Sequence, residues 1–412
     1  MSKALPAGWR LCPLSELATL DVASLNDRCD PDYGFYYVDI SSVRTGRISR
    51  STRKIRFADA PSRARKLIRR GDVLMSTVRP NLKAFAFVED DADDVVCSTG
   101  FAVLTANNEV SGRFLYHSIL SDVVSSQINA FVAGSNYPAI NSKQVREIVI
   151  PRPPLAEQKK IAAILTSVDD VIEKTEAQIQ KLEDLKKATM NELLTKGIGH
   201  TEFKDSPVGG IPKEWSVLRL GDAARKVTDG THQPVKVSQN GNIPFLYVSC
   251  IRNGRIDWDK SAQLERSEYE KASKGKILDV GDVLYTAVGS YGNAAVVEVN
   301  REFTFQRHIA QIKPNPDVLY SRFLCLYLNS KVGKRQADGY AVGNAQLTVT
   351  LGDLARFQIP VPPLEEQTEI AQMYTAIEQQ IHAQEKRVRA LHGVKSALMG
   401  DLLTGKVRVP LT

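Results

Sequence analysis

The chain has 412 residues and a formal net charge of +7; 43% of its residues are hydrophobic and 25% are charged. These values are typical of an ordinary soluble protein with two to three domains. The start of the chain lacks the apolar core of a secretion signal, and no apolar run approaches the roughly 18 residues that span a membrane. We therefore expect a cytoplasmic protein. Five cysteines lie far apart without metal-site spacing, which favours reduced thiols and no bound metal.

The first half of the chain begins with a globular segment, predicted to span residues 1–150. Its β-rich runs, such as 35–40 and 95–97, are short and separated by Gly, Asp and Asn turns, which is typical of an α+β fold. A helix is predicted near 112–128. The sequence Gly-Asp-Val-Leu at 71–74 predicts a tight turn that enters a buried strand.

A strongly basic run lies inside this segment. It contains eleven Lys or Arg residues and one acid, Asp59. The basic residues are Arg44, Arg47, Arg50, Arg53, Lys54, Arg56, Arg63, Arg65, Lys66, Arg69 and Arg70. A solvated surface is the ordinary explanation of such a run. The size of the local excess favours contact with DNA phosphates instead.

Two loops of the first half carry candidate base-reading residues. One follows the predicted strand at 71–74 and contains Arg79, Asn81 and Lys83. In the major groove, Arg and Lys pair with guanine and Asn pairs with adenine, although any surface loop can hold these residues. The other loop contains Asn136 and Tyr137, just before the last predicted strand of this half. A DNA-facing loop and a simple polar turn both remain open for it.

A long helix is predicted within residues 151–199, after Pro-Pro-Leu-Ala-Glu-Gln at 153–158. Its seam positions are separated by alternating steps of four and three residues, which is a heptad pattern. These positions are Ile161, Leu165, Val168, Ile172, Thr175, Ile179 and Leu182. A helix of about 35–40 residues would be roughly 55–60 Å long. One such helix alone can equally lie along its own globular domain.

The same helix pattern occurs a second time, 209 residues later, within the segment 360–412. The second seam comprises Ile370, Tyr374, Ile377, Ile381, Gln384, Val388 and Leu391. Two seams of equal length and register favour packing of the helices on each other. The globular segments repeat as well, since Gly-Asp-Val-Leu returns at 281–284 and the sequence around Trp9 returns around Trp215. The chain is thus predicted to be a duplicated domain-plus-helix unit, with a Gly-rich linker at 196–211.

The second globular segment, predicted at 200–359, differs from the first mainly in its loops. A weaker basic set includes Arg252 and Arg255, which are candidates for phosphate contact. The loops that correspond to those of the first half contain four candidate base-reading residues, Tyr291, Asn293, Arg307 and His308. A polar turn at 343–346 contains Asn344 and Gln346, and corresponds to the turn with Asn136. A shared scaffold with different loop chemistry indicates two modules that recognise different things in the same way.

No motif of a catalytic site stands out in the sequence. There is no Asn/Asp-Pro-Pro-aromatic motif of amino-methylation, no GxGxG after a strand, and no nuclease triad in a strand context. The segment 400–407 nearly matches a P-loop, but Val407 stands where Ser or Thr would hold magnesium. We interpret it as a helix C-terminus that ends in glycine.

This organisation resembles the specificity subunit of type I restriction-modification enzymes. The resemblance covers essentially the whole chain and depends on the duplicated Ile-Pro-x-Pro-Pro-Leu-x-Glu-Gln motif at 150–158 and 359–367, the Gly-Asp-Val-Leu turns and Asp-Gly-Thr-His-Gln-Pro at 229–234. It implies that Thr231 and His232 contact DNA. The first half has no clear counterpart of that loop near Ser24.

The resemblance further implies a non-catalytic chain. Its two α+β target-recognition domains would each read half of a bipartite, asymmetric DNA site, and the two long helices would pack as an antiparallel coiled coil that sets the spacing. The expected partners are double-stranded DNA, two modification (methyltransferase) subunits and two restriction (motor-nuclease) subunits. No cofactor is expected on this chain, because S-adenosylmethionine, ATP and magnesium would belong to those partners.

Two other classes of protein compete with this interpretation. The first is a coiled-coil scaffold that binds only proteins, which the basic run argues against; a salt-dependent shift of duplex DNA would distinguish the two. The second is a stand-alone DNA-modifying enzyme, which the absent motifs argue against and which would bind S-adenosylmethionine by itself.

Overall fold

The computed structural model describes residues 5–49, 51–133, 138–343 and 346–410. The chain divides into two compact units: one comprises Met1–Ala177 and Glu385–Thr412, and the other comprises Gln178–Gln384. Each unit therefore contains one globular module and a part of each long helix. The segment boundaries predicted at 150, 199 and 359 remain predictions. Among the described residues, no helix is both long and apolar enough to cross a membrane.

The first unit mixes short strands with short helices. Its strands are β1 (Arg10–Pro13), β2 (Ala18–Leu20), β3 (Gly34–Val38), β4 (Val43–Arg44), β5 (Arg47–Ile48), β6 (Ile55–Arg56), β7 (Ala64–Leu67), β8 (Val73–Ser76), β9 (Phe85–Phe87), β10 (Val95–Ser98), β11 (Phe101–Ala106) and β12 (Val149–Arg152). Its short helices are α1 (Leu14–Leu17), α2 (Gly112–Ile119), α3 (Asp122–Val132) and α4 (Ser142–Glu147). The long helix α5 (Leu155–Lys196) begins in this unit.

The second unit repeats this arrangement. Its strands are β13 (Phe203–Lys204), β14 (Ile211–Pro212), β15 (Ser216–Arg219), β16 (Ala224–Asp229), β17 (Ile243–Leu246), β18 (Ile251–Arg252), β19 (Arg255–Ile256), β20 (Ala262–Leu264), β21 (Val283–Thr286), β22 (Ala294–Val296), β23 (Thr304–Phe305), β24 (Ile309–Pro314) and β25 (Gln358–Val361). Its helices are α6 (Leu220–Ala223), α7 (Arg266–Ala272), α8 (Ser321–Asn329), α9 (Lys331–Tyr340), α10 (Leu351–Ala355) and the long helix α11 (Leu364–Leu402).

The sheets of the two units correspond closely, with one strand of the first unit left without a counterpart. The antiparallel order β2-β11-β8-β9 in the first unit matches β16-β24-β21-β22 in the second. The pair β1-β12 matches β15-β25, and the hairpin β4-β5 matches β18-β19. The mixed sheet β6-β3-β10-β7 corresponds to the three-stranded sheet β20-β17-β23, which has no counterpart of β7. The predicted α+β class and internal repeat are therefore confirmed.

The strand β8 shows why the Gly-Asp-Val-Leu turn recurs. Gly71 and Gly281 adopt φ angles of 92° and 97°, a left-handed conformation that favours glycine. Both turns lead into strands, β8 and β21, whose residues are all buried. The predicted turn and buried strand are confirmed in both units. The helix predicted near 112–128 is instead two helices, α2 and α3, because Ser121 caps the start of the second one.

The core of each unit includes the beginning of one long helix and the end of the other. In the first unit, Ile161 and Leu165 of α5 pack in one cluster with Leu402 and Leu403, which end α11 or directly follow it. In the second unit, the corresponding cluster combines residues near the end of α5 with Ile370 of α11. Within each unit the helices are thus antiparallel, as predicted.

Ion pairs mark the same antiparallel register in both units. Lys395 on α11 lies 2.5 Å from Asp169 on α5 in the first unit. Lys186 on α5 lies 2.5 Å from Glu378 on α11 in the second. The two pairs are related by the sequence offset of 209. All fourteen seam positions are buried or half-buried. The predicted linker is partly ordered, because β13 pairs with β14 inside it.

Candidate nucleic-acid interface

Three loops of the first unit meet at the C-terminal end of β8. The amide of Thr77 donates to the carbonyl of Gly100 over 2.8 Å, and the amide of Ile140 donates to the carbonyl of Thr77 over 2.9 Å. A further bond of 2.7 Å joins the amide of Arg79 to the carbonyl of Pro138. Backbone bonds therefore hold together stretches that are separated by more than twenty residues in the sequence.

The second unit holds its corresponding loops together with the same bonds. The amide of Ala287 donates to His308 over 2.9 Å, and the amide of Val349 donates to Ala287 over 2.8 Å. Gly289 donates to Leu347 over 2.9 Å. Each unit thus presents the loops that the sequence analysis selected at one edge of its module. We call these two clusters of loops the reading edges.

The turn Arg79–Lys83 is the most constrained part of the first reading edge. It is a short 3₁₀ turn, and its two flanking residues, Arg79 and Lys83, have φ angles of 48° and 51°. A left-handed conformation costs a residue other than glycine roughly 1–3 kcal/mol. The surrounding bonds hold it in place: Lys83 Nζ donates to Leu120, and the Thr45 hydroxyl donates to the Lys83 carbonyl. Lys83 is therefore used inside the protein.

A cleft of about 550 Å³ lies beside this turn. Its lining combines an apolar floor with two arginines, and consists of Ile40, Ser41, Val43, Arg44, Thr45, Val78, Arg79, Leu82 and Ala84. Among the described residues, neither Arg44 nor Arg79 has an acidic partner, and the Asn81 side chain makes no hydrogen bond. These three side chains are exposed and available to a ligand.

The rest of the basic run is distributed over other surfaces. Lys54 pairs with Asp94 over 2.7 Å, and Arg56 pairs with Asp32 and Asp59. Asp94 precedes β10, whereas Thr99 and Gly100 at the reading edge follow it, so these ends are roughly 13 Å apart. The side chain of Arg53 is exposed at the same end as Lys54. The structure therefore brings Arg44 to the first reading edge but leaves Arg53, Lys54 and Arg56 away from it.

One arginine on the β4-β5 hairpin contacts the long helix. Arg47 lies 3.0 Å from Glu176 and 3.6 Å from Glu173. On the corresponding hairpin of the second unit, Arg255 lies 3.2 Å from Glu378. These arginines join each module to a helix of its own unit, which is a structural use that the sequence did not reveal.

The Asp-Gly-Thr-His segment forms one side of the second reading edge. Thr231 is buried, and its carbonyl accepts from the amide of Arg307 over 3.1 Å. Gly230 packs so closely on the Phe305 carbonyl that a Cβ atom would collide with it. The exposed ring of His232 lies 2.6 Å from the carboxylate of Asp229. Burial raises the pKa of Asp229, but hydrogen bonds from His232 and Lys276 outweigh it and hold that pKa below its ordinary value.

The first unit contains a comparable ion pair that the sequence analysis missed. Lys66 Nζ lies 2.8 Å from Asp21, as Lys276 Nζ lies 3.1 Å from Asp229. Val22 and Ala23 follow Asp21, and Ser24 stands where the second unit has His232, so the first unit has the pair without a histidine. The only signal in the sequence was an Asp at the end of two corresponding strands, with Asp21 directly after β2 and Asp229 as the last residue of β16.

Four further candidates of the second unit are exposed or half-exposed, and three of them lie at its reading edge. Arg307 and Gln346 are exposed, and their side chains have no partner among the described residues. Burial, together with the charge of Arg307, lowers the pKa of His308, which favours its neutral form. Arg252 is exposed on the β18-β19 hairpin. These side chains are available as donors.

Two candidates are already occupied within the protein. The hydroxyl of Tyr291 donates to Asp338 over 2.8 Å, and this hydrogen bond raises the Tyr291 pKa. The Asn293 amide donates to the Ser290 carbonyl over 3.0 Å and also approaches Thr286. Their role in DNA contact stays a prediction. The predicted residues Asn136, Tyr137 and Asn344 lie outside the described residues.

The Glu and Gln of the repeated helix motif fasten each module to its helix. Gln158 is fully buried and accepts from the amide of Ser111, the residue that caps α2. Gln367 is fully buried and accepts from the amide of Tyr320, which precedes α8. The preceding acids accept from tryptophans: Trp9 donates to Glu157 over 3.1 Å, and Trp215 donates to Glu366 over 2.9 Å. In the sequence, these residues mark only the start of a predicted helix.

Comparisons with known proteins give the same result for both halves of the chain. The family model of the type I restriction modification DNA specificity domain matches residues 30–184 and again residues 212–389. A putative type I restriction enzyme specificity subunit, MjaX, from Methanocaldococcus jannaschii is 30% identical over 82% of this chain and 79% of the relative. The MjaVIII specificity subunit of the same organism is 26% identical over 76% of this chain and 75% of its own length.

One solved structure aligns with this chain with a TM-score of 0.64. It is described as the structural basis of complex assembly and conformational transition of the type I R-M system. It is 27% identical to this chain, and the alignment covers 98% of this chain and all of the other.

Proposed function

The chain belongs to the family of type I restriction-modification DNA specificity subunits, and we propose that its two reading edges each recognise one half of a bipartite, asymmetric DNA site. The observation that carries this proposal is the repeated set of backbone bonds at Thr77 and Ala287, which present loops of different sequence in the same way. Identical support with different side chains is what two half-sites of unlike sequence require.

Within each edge, side chains divide into two roles. Arg44 and Arg252, on corresponding hairpins, would contact phosphates and set the register on the duplex. Arg79, Asn81 and Arg307, on the loops, would contact base edges in the major groove. Since phosphate contacts carry no sequence information directly, the loop residues would account for the recognised bases.

The long helices would act as the ruler of this reader. A continuous helix of 42 residues would be about 63 Å long at 1.5 Å per residue. We propose that the helix pair sets the spacer between half-sites and offers surfaces to two modification subunits and two restriction subunits. Chemistry would then reside on those partners, with S-adenosylmethionine, ATP and magnesium, and this chain would be non-catalytic.

Sequencing of methylated adenines tests the proposal in cells that express this chain with its modification subunit. We expect an asymmetric bipartite motif. Arg79→Ala should change one half of the motif and Arg307→Ala only the other, at about 1–3 kcal/mol for each lost base contact. Arg225→Ala is a matched control, because Arg225 is exposed on β16 and, within the described ranges, pairs only with Asp317. A motif that neither loop variant alters would remove both loops from base reading.

The alternative, a coiled-coil scaffold that binds only proteins, can be tested with the purified complex of this chain and its modification subunit. A purified complex that causes no salt-dependent shift of any duplex DNA would contradict DNA recognition and favour a protein scaffold. Bound S-adenosylmethionine on the isolated chain, detected by mass spectrometry, would contradict its non-catalytic role.

A further inference from the structure

We propose that the cleft beside the Arg79–Lys83 turn reads the 5-methyl group of a thymine, with Leu82 as the side chain that packs on it. The inference rests on the proposed function, because it names one base feature that the first reading edge recognises. Asn81, the neighbour of Leu82 on the same turn, would bond the edge of an adenine.

The exposure of Leu82 is the first observation. Its side chain is 66% exposed at the tip of a polar turn, and the nearby Val78 is 38% exposed. Both line the cleft, whose floor is completed by Val43, Ile40 and Ala84. An apolar surface at the centre of a basic edge gains free energy only when an apolar group covers it.

The rigidity of the turn is the second observation. Two residues in the left-handed conformation, Arg79 and Lys83, flank the turn. Three hydrogen bonds hold it: the Thr45 hydroxyl donates to the Lys83 carbonyl, Lys83 Nζ donates to the Leu120 carbonyl, and the Arg79 amide donates to the Pro138 carbonyl. These hydrogen bonds fix the backbone of the turn and therefore the position from which Leu82 projects. The protein thus holds an aliphatic side chain outward in a conformation that it does not need for its own packing.

The charges around the cleft identify the kind of partner. Arg44 and Arg79 have no acid among the described residues, so the site as a whole attracts a polyanion. Leu82 gains nothing from a phosphate or from a hydrogen-bonding base edge. The apolar group that DNA displays in its major groove is the 5-methyl group of thymine, and aliphatic side chains contact it there.

The corresponding turn of the second unit supports the assignment by contrast. Between Gly289 and Asn293 it carries Ser290, Tyr291 and Gly292, and no aliphatic side chain. The Tyr291 hydroxyl is bonded to Asp338. Methyl reading by this turn is therefore a property of the first unit, in agreement with two half-sites of different composition.

A double-mutant cycle between protein and DNA tests the inference. The probe is a DNA duplex that contains the motif identified by sequencing of methylated adenines. Each thymine of the motif is replaced in turn by deoxyuridine, which keeps the base pair and loses the 5-methyl group. The protein is the complete chain in complex with its modification subunit. At one position we expect binding to weaken about fourfold, equivalent to ~0.8 kcal/mol for one buried methyl group. With Leu82→Ala, that position should tolerate deoxyuridine, and Leu82→Met should restore the penalty.

Leu11→Ala is the matched control, since Leu11 is 61% exposed in the same unit but lies on β1, away from the reading edge. It should leave the deoxyuridine penalty unchanged. A wild-type complex that tolerates deoxyuridine everywhere, a penalty that survives Leu82→Ala, or a motif without any A·T pair overturns the inference while leaving DNA recognition intact. A duplex that carries 2-aminopurine in place of an adenine of the motif gives a second readout. A rise in its fluorescence that depends on Leu82 would also overturn the inference, because it would show that Leu82 inserts between bases as a wedge. Absence of all specific binding would instead contradict the proposed function.

Discussion

Replacing Gln158 by alanine should loosen the first unit and leave the second unchanged, and Gln367→Ala should do the reverse. Each glutamine is fully buried and makes one accepted and two donated hydrogen bonds. At a net 0.5–1.5 kcal/mol for each bond, the loss is about 1.5–4.5 kcal/mol of local stability. That corresponds to roughly 10- to 2,000-fold faster amide exchange in the segment that the glutamine holds.

Hydrogen exchange followed by mass spectrometry is the suitable assay, because a chain of two units need not unfold in a single two-state step. For Gln158→Ala, the increase should be greatest in α2, which Ser111 caps; for Gln367→Ala, it should be greatest in α8. Gln178→Ala is the control: this glutamine lies exposed on α5, so its loss should change stability by less than about 0.5 kcal/mol. Equal loosening of both units by either buried variant, or no change in the capped helix, would refute the reasoning.

Three further predictions concern DNA and assembly. The triple change Arg53→Ala, Lys54→Ala and Arg56→Ala tests whether this part of the basic run touches phosphate even though it lies away from the first reading edge. If all three residues do, the slope of log affinity against log salt should flatten by up to about 3, and an unchanged slope would show that these cations serve the fold alone. Four residues inserted after Leu182 should lengthen the preferred spacer by one or two base pairs, since one helical turn adds roughly 6 Å; methylation only at the original spacing would exclude the ruler. A fragment of residues 1–199 should form a two-fold dimer that methylates a palindromic site with its modification subunit, and a monomer in sedimentation would contradict this.

The sequence by itself determined the architecture at the level of repeats and helices. The heptad steps, the duplicated Pro-Pro-Leu-x-Glu-Gln motif and the recurring Gly-Asp-Val-Leu turns predicted two α+β modules with two long helices. These features are local or periodic, so they are visible without knowing which distant residues meet. Ends of elements were less determined: one predicted helix is two, because a Ser side chain at 121 starts a second helix.

Only the tertiary structure decided how the charged residues are used. In the sequence, Arg44, Arg47 and Lys54 are members of one basic run. In the fold, Lys54 meets Asp94 and Arg47 meets Glu176, while Arg44 lines the same cleft as Arg79 and has no acidic partner in the described part of the chain. Each of these partners is many residues away, and which of them meets a given cation depends on strand order and register. Chain packing also decided that the end of α11 completes the core of the first unit and the end of α5 completes the core of the second. No local sequence pattern relates the residues that an antiparallel helix pair brings together.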